Sequence, residues 1–370
     1  MIRKFDVFYV SHDSIAEGIG MSQIIPVVTG LAKKGWKVGI ISCEKSRPTS
    51  EIQNRLDEAG VQWIPLKFGR VGAVGGLGRL FRIAIRLPRA RAYHCRGDLA
   101  AVATCLRSRS PFLWDVRGLW IDQKVIIGSI TTNRVIIWLA KRLEKIAAKN
   151  AAAVSTLTEA VYPILLKRHP YLTRSHSVIA TCTDLERFYF SAEFPSEKKL
   201  LLSGVFNNYY DIPATREFIT SFREVERLKV TWCHGKEASK GALNVGEDEI
   251  KVMVQSEMQS EIESASFGLA LCKKDIGDSL KGVMPTKVAE FLSVGRPVIV
   301  SKGVGDLEEL LLSTRTGIII GEDMTLAVKE LLDLLNDSDT PIRCRALAEK
   351  HFSMVMAIDK YDLVFRKLLQ

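Results

Sequence analysis

The chain alternates short runs of β-branched and aromatic residues with longer segments of helical periodicity, and this alternation constrains the fold more than any other feature. Strands that alternate with helices are typical of βαβ units, in which the strands pair in parallel. The pattern therefore predicts an α/β protein. Strands are predicted at 6–11, 37–42, 62–65, 92–95, 112–115, 152–157, 200–205, 229–233, 251–254, 268–272, 297–301 and 317–320.

The length of the chain indicates two domains. A chain of 370 residues exceeds the size at which one core usually suffices. The polar, proline-containing stretch 189–199 separates two blocks of similar pattern, so we predict a first domain at 1–190 and a second at 191–352. The segment 353–370 is predicted to be a helix that is able to cross back to the first domain.

The composition excludes several classes of protein. The seven cysteines are scattered singly and form no C-x-x-C pair, which argues against a disulfide scaffold or a zinc finger and favours the reducing cytoplasm. No apolar run approaches the roughly 18 residues that a membrane span needs. The net charge of +10 indicates an anionic partner without identifying it.

The segment 281–309 is the most informative for function. Pro285 suits the first position of a helix, and Gly295 suits the position after its last turn. The helix start would present the free backbone N–H groups of Thr286 and Lys287, the positive end of the helix dipole and the Lys287 ammonium. These groups together predict an anion site suited to a diphosphate.

Glu290 follows Lys287 by three residues, so both side chains lie on one face of the predicted helix. A carboxylate accepts hydrogen bonds from two hydroxyl groups, so Glu290 would suit a ribose beyond the phosphates. A surface ion pair between Lys287 and Glu290 explains the same spacing equally well.

The residues around Lys287 resemble a segment of a known protein family. The sequence PTKVAEFLSVGRPVIVS at 285–301, followed by GVGDLEEL at 303–310, resembles the donor-binding segment of glycosyltransferase family 4. The resemblance covers nearly the whole chain and is closest to one bacterial subgroup. The other similar segments are the glycine loop at 18–23, HCRGDLAA at 94–101, DVRGLWIDQKV at 115–125, STLTEAV at 155–161 and TCTDLERF at 181–188.

The resemblance implies a GT-B fold, in which two Rossmann-like domains face each other across a cleft. It implies a retaining transfer, hexosyl in type, from a nucleotide diphosphate sugar to a glycan or lipid-linked acceptor in surface polysaccharide synthesis. No metal or other cofactor is expected. The family's phosphates correspond to Met284, Pro285, Thr286 and Lys287, and its ribose-binding glutamate corresponds to Glu290.

The resemblance also implies the catalytic residues. Negative charge builds on the departing phosphate, and Lys287 would stabilise it. The family's first-domain histidine corresponds to His94, with Arg96 beside it, and both are expected near the sugar or the acceptor. A histidine at the end of a strand also fits a purely structural role.

Polar residues after the predicted strand at 112–115 are candidates for acceptor contacts. Asp115, Arg117 and Asp122 lie at or just beyond its end, where open α/β sheets bind their ligands. An ion pair between Asp115 and Arg117 that braces the loop is an equally good interpretation.

The glycine loop after the first strand contains Gly18, Gly20, Ser22 and Gln23. Gln23 stands where a dinucleotide fingerprint has its third glycine, and the only acidic candidate for a ribose ligand is Glu44. We therefore predict a loop that faces the sugar, with a purely structural turn as the alternative.

Two departures from the family pattern concern the donor site. Many members carry a glutamate eight positions before Glu290, where this chain has Gly282. Many also carry an arginine and a lysine after the first strand of the second domain, where Asn208 or Tyr210 would substitute. These departures keep open a degenerate partner subunit that only binds ligand. A sugar-nucleotide epimerase would instead need carboxylates around the sugar, and no such cluster is evident.

Arginines recur in the basic stretch 70–91. Arg79, Arg82 and Arg86 are spaced to share one helical face among apolar residues, which predicts a helix on an anionic membrane surface. A solvated basic face is the alternative. Nucleic acid is not predicted to be a partner, because aromatic residues do not interleave with the basic ones.

Overall fold

The computed structural model describes residues 4–126, 128, 133–172, 175–204, 209–234, 246, 248–252 and 255–370. The chain folds into two compact units. The first comprises Met1–Ala180 together with Met354–Gln370, and the second comprises Thr181–Ser353.

The first unit contains a parallel seven-stranded sheet in the order β3-β2-β1-β4-β5-β6-β7. The chain runs outward from β1 to β3 and then returns to β4 on the other side of β1, so the strand order reverses between β1 and β4. The strands are β1 Phe5–Val10, β2 Val38–Glu44, β3 Gln62–Lys67, β4 Ala90–Arg96, β5 Phe112–Val116, β6 Ala153–Thr156 and β7 Ser175–Val178.

The second unit contains a parallel six-stranded sheet in the order β10-β9-β8-β11-β12-β13. The chain runs outward from β8 to β10 and then returns to β11 on the other side of β8, so the strand order reverses between β8 and β11. The strands are β8 Lys199–Ser203, β9 Lys229–His234, β10 Glu249–Val252, β11 Phe267–Ala270, β12 Val298–Ser301 and β13 Gly317–Ile320.

Helices connect the parallel strands, as βαβ units require. A π-helical turn at Gly20–Ile24 leads into the first of them, and a kinked 3₁₀ segment at Lys274–Gly282 precedes the helix Thr286–Val294. The helices are α1 Ile25–Lys33, α2 Ser50–Glu58, α3 Gly72–Arg86, α4 Gly97–Arg107, α5 Trp120–Ile126, α6 Arg134–Asn150, α7 Tyr162–Arg168, α8 Ile212–Val225, α9 Met258–Glu263, α10 Thr286–Val294, α11 Leu307–Thr314, α12 Met324–Asn336, α13 Thr340–His351 and α14 Met354–Leu369.

Each unit has its own apolar core. On one face of the first sheet, α3, α4 and α6 pack on a cluster that includes Phe8 and Trp114. The C-terminal helix α14 packs against α1, and the contact is so close that a Cβ added at Gly30 would lie 2.3 Å from Cδ1 of Ile358. The core of the second unit includes Phe267.

The predicted α/β class is confirmed, and every predicted strand coincides with an observed one apart from its ends. The sequence misses β7, and positions 205, 253 and 254 of the predicted strands lie outside the described residues. Gly295 ends α10 with φ 94°, as predicted, whereas Pro285 is the residue before the first helical turn rather than part of it. Within the described ranges, no helix is long and apolar enough to cross a membrane.

The units divide at residue 180, whereas the sequence predicts a linker at 189–199. Two arginine side chains, the buried Arg296 and the half-buried Arg345, explain the difference. The Arg296 guanidinium donates to the carbonyls of Ser191 and Glu193, at 3.0 and 2.8 Å, and the Arg345 guanidinium donates to the carbonyl of Phe188 at 2.9 Å. These bonds fix the polar stretch to the second unit.

Candidate functional site

The strand reversal of the second sheet brings together residues that are distant in sequence. Gly204 follows β8, and Tyr210 forms an isolated bridge with Cys272, which follows the neighbouring strand β11. The Lys287 ammonium lies 4.3 Å from the centre of the Tyr210 ring. A Cβ added at Gly204 would lie 3.7 Å from the same ammonium nitrogen. Ligands of open α/β sheets bind at such reversals.

The start of α10 presents unpaired amides at this position. Pro285 has extended backbone angles, and no side chain caps the helix. The first amide of the helix with an acceptor is that of Val288, which donates to the Pro285 carbonyl at 3.0 Å. The N–H groups of Thr286 and Lys287 have no acceptor among the residues that the structure describes, so both are available to an anion.

The two ionisable side chains of α10 are partly buried, and burial disfavours the charge of each. Desolvation lowers the pKa of Lys287 to about 8. Desolvation likewise raises the pKa of Glu290 to about 7. Their charged atoms form no ion pair, so the simple surface pair that the sequence left open is not the arrangement observed.

The remaining residues predicted at the donor site differ in their burial. The side chain of Met284 is buried, and Gly282 is also buried. The loop that contains them is held by Tyr209, whose hydroxyl lies 3.1 Å from the carbonyl of Ser279. Asn208 lies outside the described residues.

The strand reversal of the first sheet contains a histidine that the sequence analysis does not single out. His12 lies just after β1 and is buried, and its Nδ1 has no partner within the described part of the chain. Its Nε2 lies 3.4 Å from Asp13, and a Cβ added at Gly97 would lie 3.9 Å from its ring. Arg96 ends the neighbouring strand β4. The signal that could have found His12 is its position directly after the first strand.

His94 lies in the core of the first unit. Its side chain is fully buried between the rings of Tyr9 and Tyr361, whose centres lie 4.2 and 4.7 Å away. Its Nε2 lies 3.2 Å from Asp115, and burial lowers its pKa. This environment favours the structural role that the sequence left open, and a contact of His94 with substrate stays a prediction.

Asp115 is only 1% exposed, and both of its oxygens are engaged. One accepts from the Ser155 hydroxyl at 2.9 Å and lies 3.7 Å from Arg117, while the other lies 3.2 Å from His94 and 4.0 Å from Arg96. Burial raises the pKa of Asp115, but the Arg117 charge and the His94 hydrogen bond outweigh it and hold the pKa below its ordinary value. This geometry favours the bracing interpretation over a direct acceptor contact.

The glycine loop is held from within the protein. The Glu44 carboxylate accepts from the Ser14 hydroxyl at 2.6 Å and from the amides of Ile15 and Ala16 at 3.1 and 3.3 Å. Glu44 therefore anchors the loop and is not free to bind a ribose. A Cβ at Gly20 would lie 2.3 Å from Cα of Ile15.

The other predicted residues of this loop lie around the same turn. Gly18 has φ 46°, which few other residues adopt, and the Ser22 hydroxyl donates to its carbonyl at 3.4 Å. Gln23 is buried. These contacts favour the structural turn, and a sugar contact of the loop stays a prediction.

Asp122 belongs to a different cluster from Asp115. The Arg168 guanidinium donates to Asp122 at 2.7 Å and lies 3.6 Å from Glu144. Glu144 in turn lies 2.7 Å from His169. Asp122 thus takes part in a network of ion pairs between α5, α6 and α7.

The predicted basic face of α3 is wrong for two of its three arginines. Arg79 is 7% exposed, donates to the carbonyl of Arg70 at 2.9 Å and stacks on the Phe68 ring at 3.9 Å. Arg82 donates to the carbonyl of Phe68 at 2.8 Å, and only Arg86 is exposed. The arginines fold back because the loop before α3 offers carbonyls that need donors.

No group of three or more metal-ligating side chains is placed to hold a metal ion among the described residues.

Comparisons with known proteins agree with the fold. Residues 26–169 match the model of the glycosyl transferase 4-like domain. Among solved structures, sucrose-phosphate synthase from Thermosynechococcus elongatus is similar with a TM-score of 0.75 at 15% identity, over 98% of this chain and 99% of that one. Anabaena HepE in complex with UDP-glucose is similar with a TM-score of 0.70 at 9% identity, over 98% and 100% of the two chains.

A glycosyltransferase from Rickettsia africae is similar with a TM-score of 0.68 at 14% identity, over 99% of both chains. At these identities the likeness shows the fold. No curated protein matches the chain. The predicted resemblance to glycosyltransferase family 4 and the predicted GT-B fold are confirmed: residues 26–169 match the model of a glycosyl transferase 4-like domain, and the chain has the fold of the GT-B glycosyltransferases.

Proposed function

We propose that the protein is a retaining glycosyltransferase that moves a hexose from a nucleoside diphosphate sugar to a glycan or lipid-linked acceptor. The observation that carries this proposal is the pair of unpaired amides at Thr286 and Lys287, with the Lys287 ammonium beside them at a strand reversal. The similar HepE structure contains UDP-glucose, which supports a donor of this chemical class.

The proposed reaction breaks the bond between the anomeric carbon and a phosphate oxygen. Negative charge then builds on the departing diphosphate, and the helix start and Lys287 stabilise that charge where it develops. The acceptor oxygen bonds to the anomeric carbon, and its proton passes to the departing phosphate. We therefore propose a metal-independent reaction that needs no pair of catalytic carboxylates.

Glu290 would bind the ribose of the donor. It lies one helical turn from Lys287, and its carboxylate accepts hydrogen bonds from hydroxyl groups. Its pKa of about 7 keeps part of the population ionised at neutral pH.

The first unit would bind the acceptor. Arg96 and His12 lie at the reversal of its sheet, where a ligand is expected. Arg117 lies nearby in sequence after β5, and Asp115 fixes both arginines. We propose that the acceptor belongs to a surface polysaccharide pathway and that the enzyme works in the cytoplasm, where nucleotide sugars are available.

A donor panel tests the proposal. UDP-glucose, UDP-galactose, UDP-N-acetylglucosamine, GDP-mannose and ADP-glucose are each incubated with the protein, and release of the nucleoside diphosphate is measured. At least one donor should be hydrolysed slowly. Lys287→Ala should abolish this release, whereas Lys329→Ala, an exposed lysine on α12, should leave it unchanged.

Three outcomes separate the alternatives. Release by Lys287→Ala at the wild-type rate would refute the role of Lys287. Tight binding of a nucleoside diphosphate without release from any donor would indicate a partner subunit that only binds. Conversion of one nucleotide sugar into another would indicate an epimerase.

A further inference from the structure

The strand reversal of the first sheet places a histidine opposite the start of a helix. Strands β1 and β4 pair in parallel with Val10 opposite Cys95, so His12 and Gly97 each lie two residues beyond the paired positions. The helix α4 begins at Gly97, directly after β4, and is 11 residues long. A Cβ added at Gly97 would lie 3.9 Å from Cε1 of His12 and would meet no other atom of the described residues within 4 Å beyond its own helix. The His12 ring therefore borders an open space at the start of α4.

The start of α4 is able to hold an anion. No side chain caps this helix, and the amides of a first helical turn have no acceptor inside the helix. Asp98 lies in that turn, but its carboxylate accepts from the Trp114 indole at 3.1 Å instead. The amides of Asp98 and Leu99 and the positive end of the helix dipole thus favour negative charge at this position.

His12 indicates a ligand independently of the helix. The residue is only 8% exposed, and its Nδ1 has no hydrogen-bond partner among the residues that the structure describes. A buried polar atom without a partner destabilises the fold, so such an atom indicates that a molecule from outside the chain belongs beside it. Nε2 lies 3.4 Å from Asp13, which leaves Nδ1 as the unoccupied side of the ring.

The charge around His12 is mainly positive. Burial lowers the pKa of His12, and the strongest charges that act on its ring are those of Asp13, Arg79, Arg96 and Lys124. Three cations from α3, β4 and α5 therefore oppose one carboxylate. Burial raises the pKa of Asp13, but His12 and the same three cations outweigh it and hold the pKa below its ordinary value. An anion that enters this space is stabilised by the same field.

We propose that the start of α4 and His12 bind a phosphate group of the acceptor, on or beside the sugar that receives the hexose. A phosphate has three oxygens that can accept from the helix amides and from Nδ1 at once, whereas a carboxylate has two. With Asp13 at Nε2 and the phosphate at Nδ1, both ring nitrogens of His12 donate, so the ring takes up a proton when the phosphate binds. That the ligand is the acceptor rests on the proposed function, whereas the anion site itself does not.

Nuclear magnetic resonance of the full-length protein tests the site through His12. With carbon-13 at Cε1 of histidine, each of the six histidines gives a signal, and His12→Gln identifies the signal of His12. Sulfate is the first probe, because it resembles phosphate and keeps its charge as the pH changes. Replacing chloride by sulfate at constant ionic strength should raise the midpoint of the His12 titration by at least about one pH unit. Inorganic phosphate should shift the same signal at pH 7 with an apparent dissociation constant of about 10 mM or less.

Matched variants exclude a contribution from the second unit. Lys287→Ala removes the ammonium of the proposed donor site and should leave the response of His12 to sulfate unchanged, because the two sites lie on different sheets. In the Lys287→Ala protein, His12→Gln should weaken phosphate binding in calorimetry at least about fivefold. His176→Gln, at a half-buried histidine of β7, should leave phosphate binding unchanged.

The outcomes that contradict the site are distinct from those that contradict the transferase. A His12 signal that responds to neither sulfate nor phosphate would overturn the inference, and so would a response that disappears in Lys287→Ala. Failure of the proposed function would instead appear as a donor panel without release of nucleoside diphosphate while the His12 response persists.

Two further ligands identify the source of the phosphate. Glucose 6-phosphate represents a phosphorylated sugar, and geranyl phosphate represents a lipid-linked acceptor. If one of them binds at least about tenfold more tightly than inorganic phosphate at the His12 signal, the acceptor belongs to that class. If neither binds more tightly than inorganic phosphate, the site holds an adventitious ion only, and the assignment to the acceptor is overturned.

Discussion

The lysine at the start of α10 should make binding of a nucleoside diphosphate depend on pH between 7 and 9. Desolvation lowers the pKa of Lys287 to about 8, so the ligand-free protein loses this charge as the pH rises through 8. A bound diphosphate places negative charge beside the ammonium and returns its pKa to roughly that of an ordinary lysine, about 10.4, or above. Binding above pH 8 therefore requires the uptake of a proton.

The size of the effect follows from these two pKa values. At pH 7 about nine tenths of the Lys287 side chains are protonated before binding, and at pH 9 only about one in eleven. The dissociation constant should therefore rise about ninefold from pH 7 to pH 9, which corresponds to ~1.3 kcal/mol. A terminal phosphate ionises near ~6, so the charge of the ligand stays constant over this interval.

Titration calorimetry at pH 7, 8 and 9 measures this dependence. Buffers with different ionisation enthalpies report the proton uptake, which should be about half a proton at pH 8. Lys287→Arg keeps its charge throughout and should not lose affinity as the pH rises from 7 to 9, whereas Lys287→Met should bind weakly at every pH. A wild-type affinity that is constant from pH 7 to 9, without proton uptake, would refute the reasoning.

Three further substitutions, one of them with a matched glycine control, test the described contacts through urea unfolding. Burial raises the pKa of Glu290 to about 7, so the folded protein binds the extra proton between about pH 4.5 and 7, and stability is lost as the pH rises through this range. Glu290→Gln should therefore stabilise the protein by up to ~3 kcal/mol at pH 8 and not at pH 4; destabilisation at pH 8 would contradict this. Gly20→Ala forces a Cβ against the Ile15 backbone and should lower the free energy of unfolding by ~1–3 kcal/mol. The control Gly18→Ala meets no atom within 4 Å, so it should cost ~1 kcal/mol from its backbone angle alone. Equal losses in the two variants would argue against the clash. Asp115→Asn leaves the buried Arg96 and the half-buried Arg117 without a counter-charge and should cost ~3–5 kcal/mol at pH 7. Because the folded pKa of Asp115 is depressed, this difference should shrink as the pH falls below ~4. A difference that does not change with pH would count against the ion pairs.

The parallel sheets could be predicted because buried strands differ in composition from the amphipathic helices between them. The strand β7 could not, because its sequence SHSV is short and mostly polar, and it lies at the edge of its sheet where little is buried. Edge strands escape a search for apolar runs for this reason. The polar stretch 189–199 has the composition of a linker, but the carbonyls of Ser191 and Glu193 accept hydrogen bonds from Arg296, which is distant in sequence.

The anion site at α10 could be predicted because its signals are local. A proline before the first turn and a glycine after the last one define the helix, and the position of Lys287 relative to them follows. The partners of the arginines on α3 are not local in the same sense. Helical periodicity places Arg79 and Arg82 on the helix surface, but it contains no information about the loop carbonyls that these side chains reach.

His12 shows the limit of a search by motif. A single histidine has no partner at a recognisable spacing, so its position directly after the first strand is the one signal that the sequence offers. Its position becomes informative once β1 and β4 are known to be neighbours whose connections leave in opposite directions, because a ligand can then enter between them. The strand reversal of the second sheet likewise brings Gly204 close to Lys287 on α10, although 82 residues lie between them. Strand order depends on pairing between distant segments. The two candidate ligand positions, one at each strand reversal, can therefore be located from the topology but not from residue spacing in the sequence.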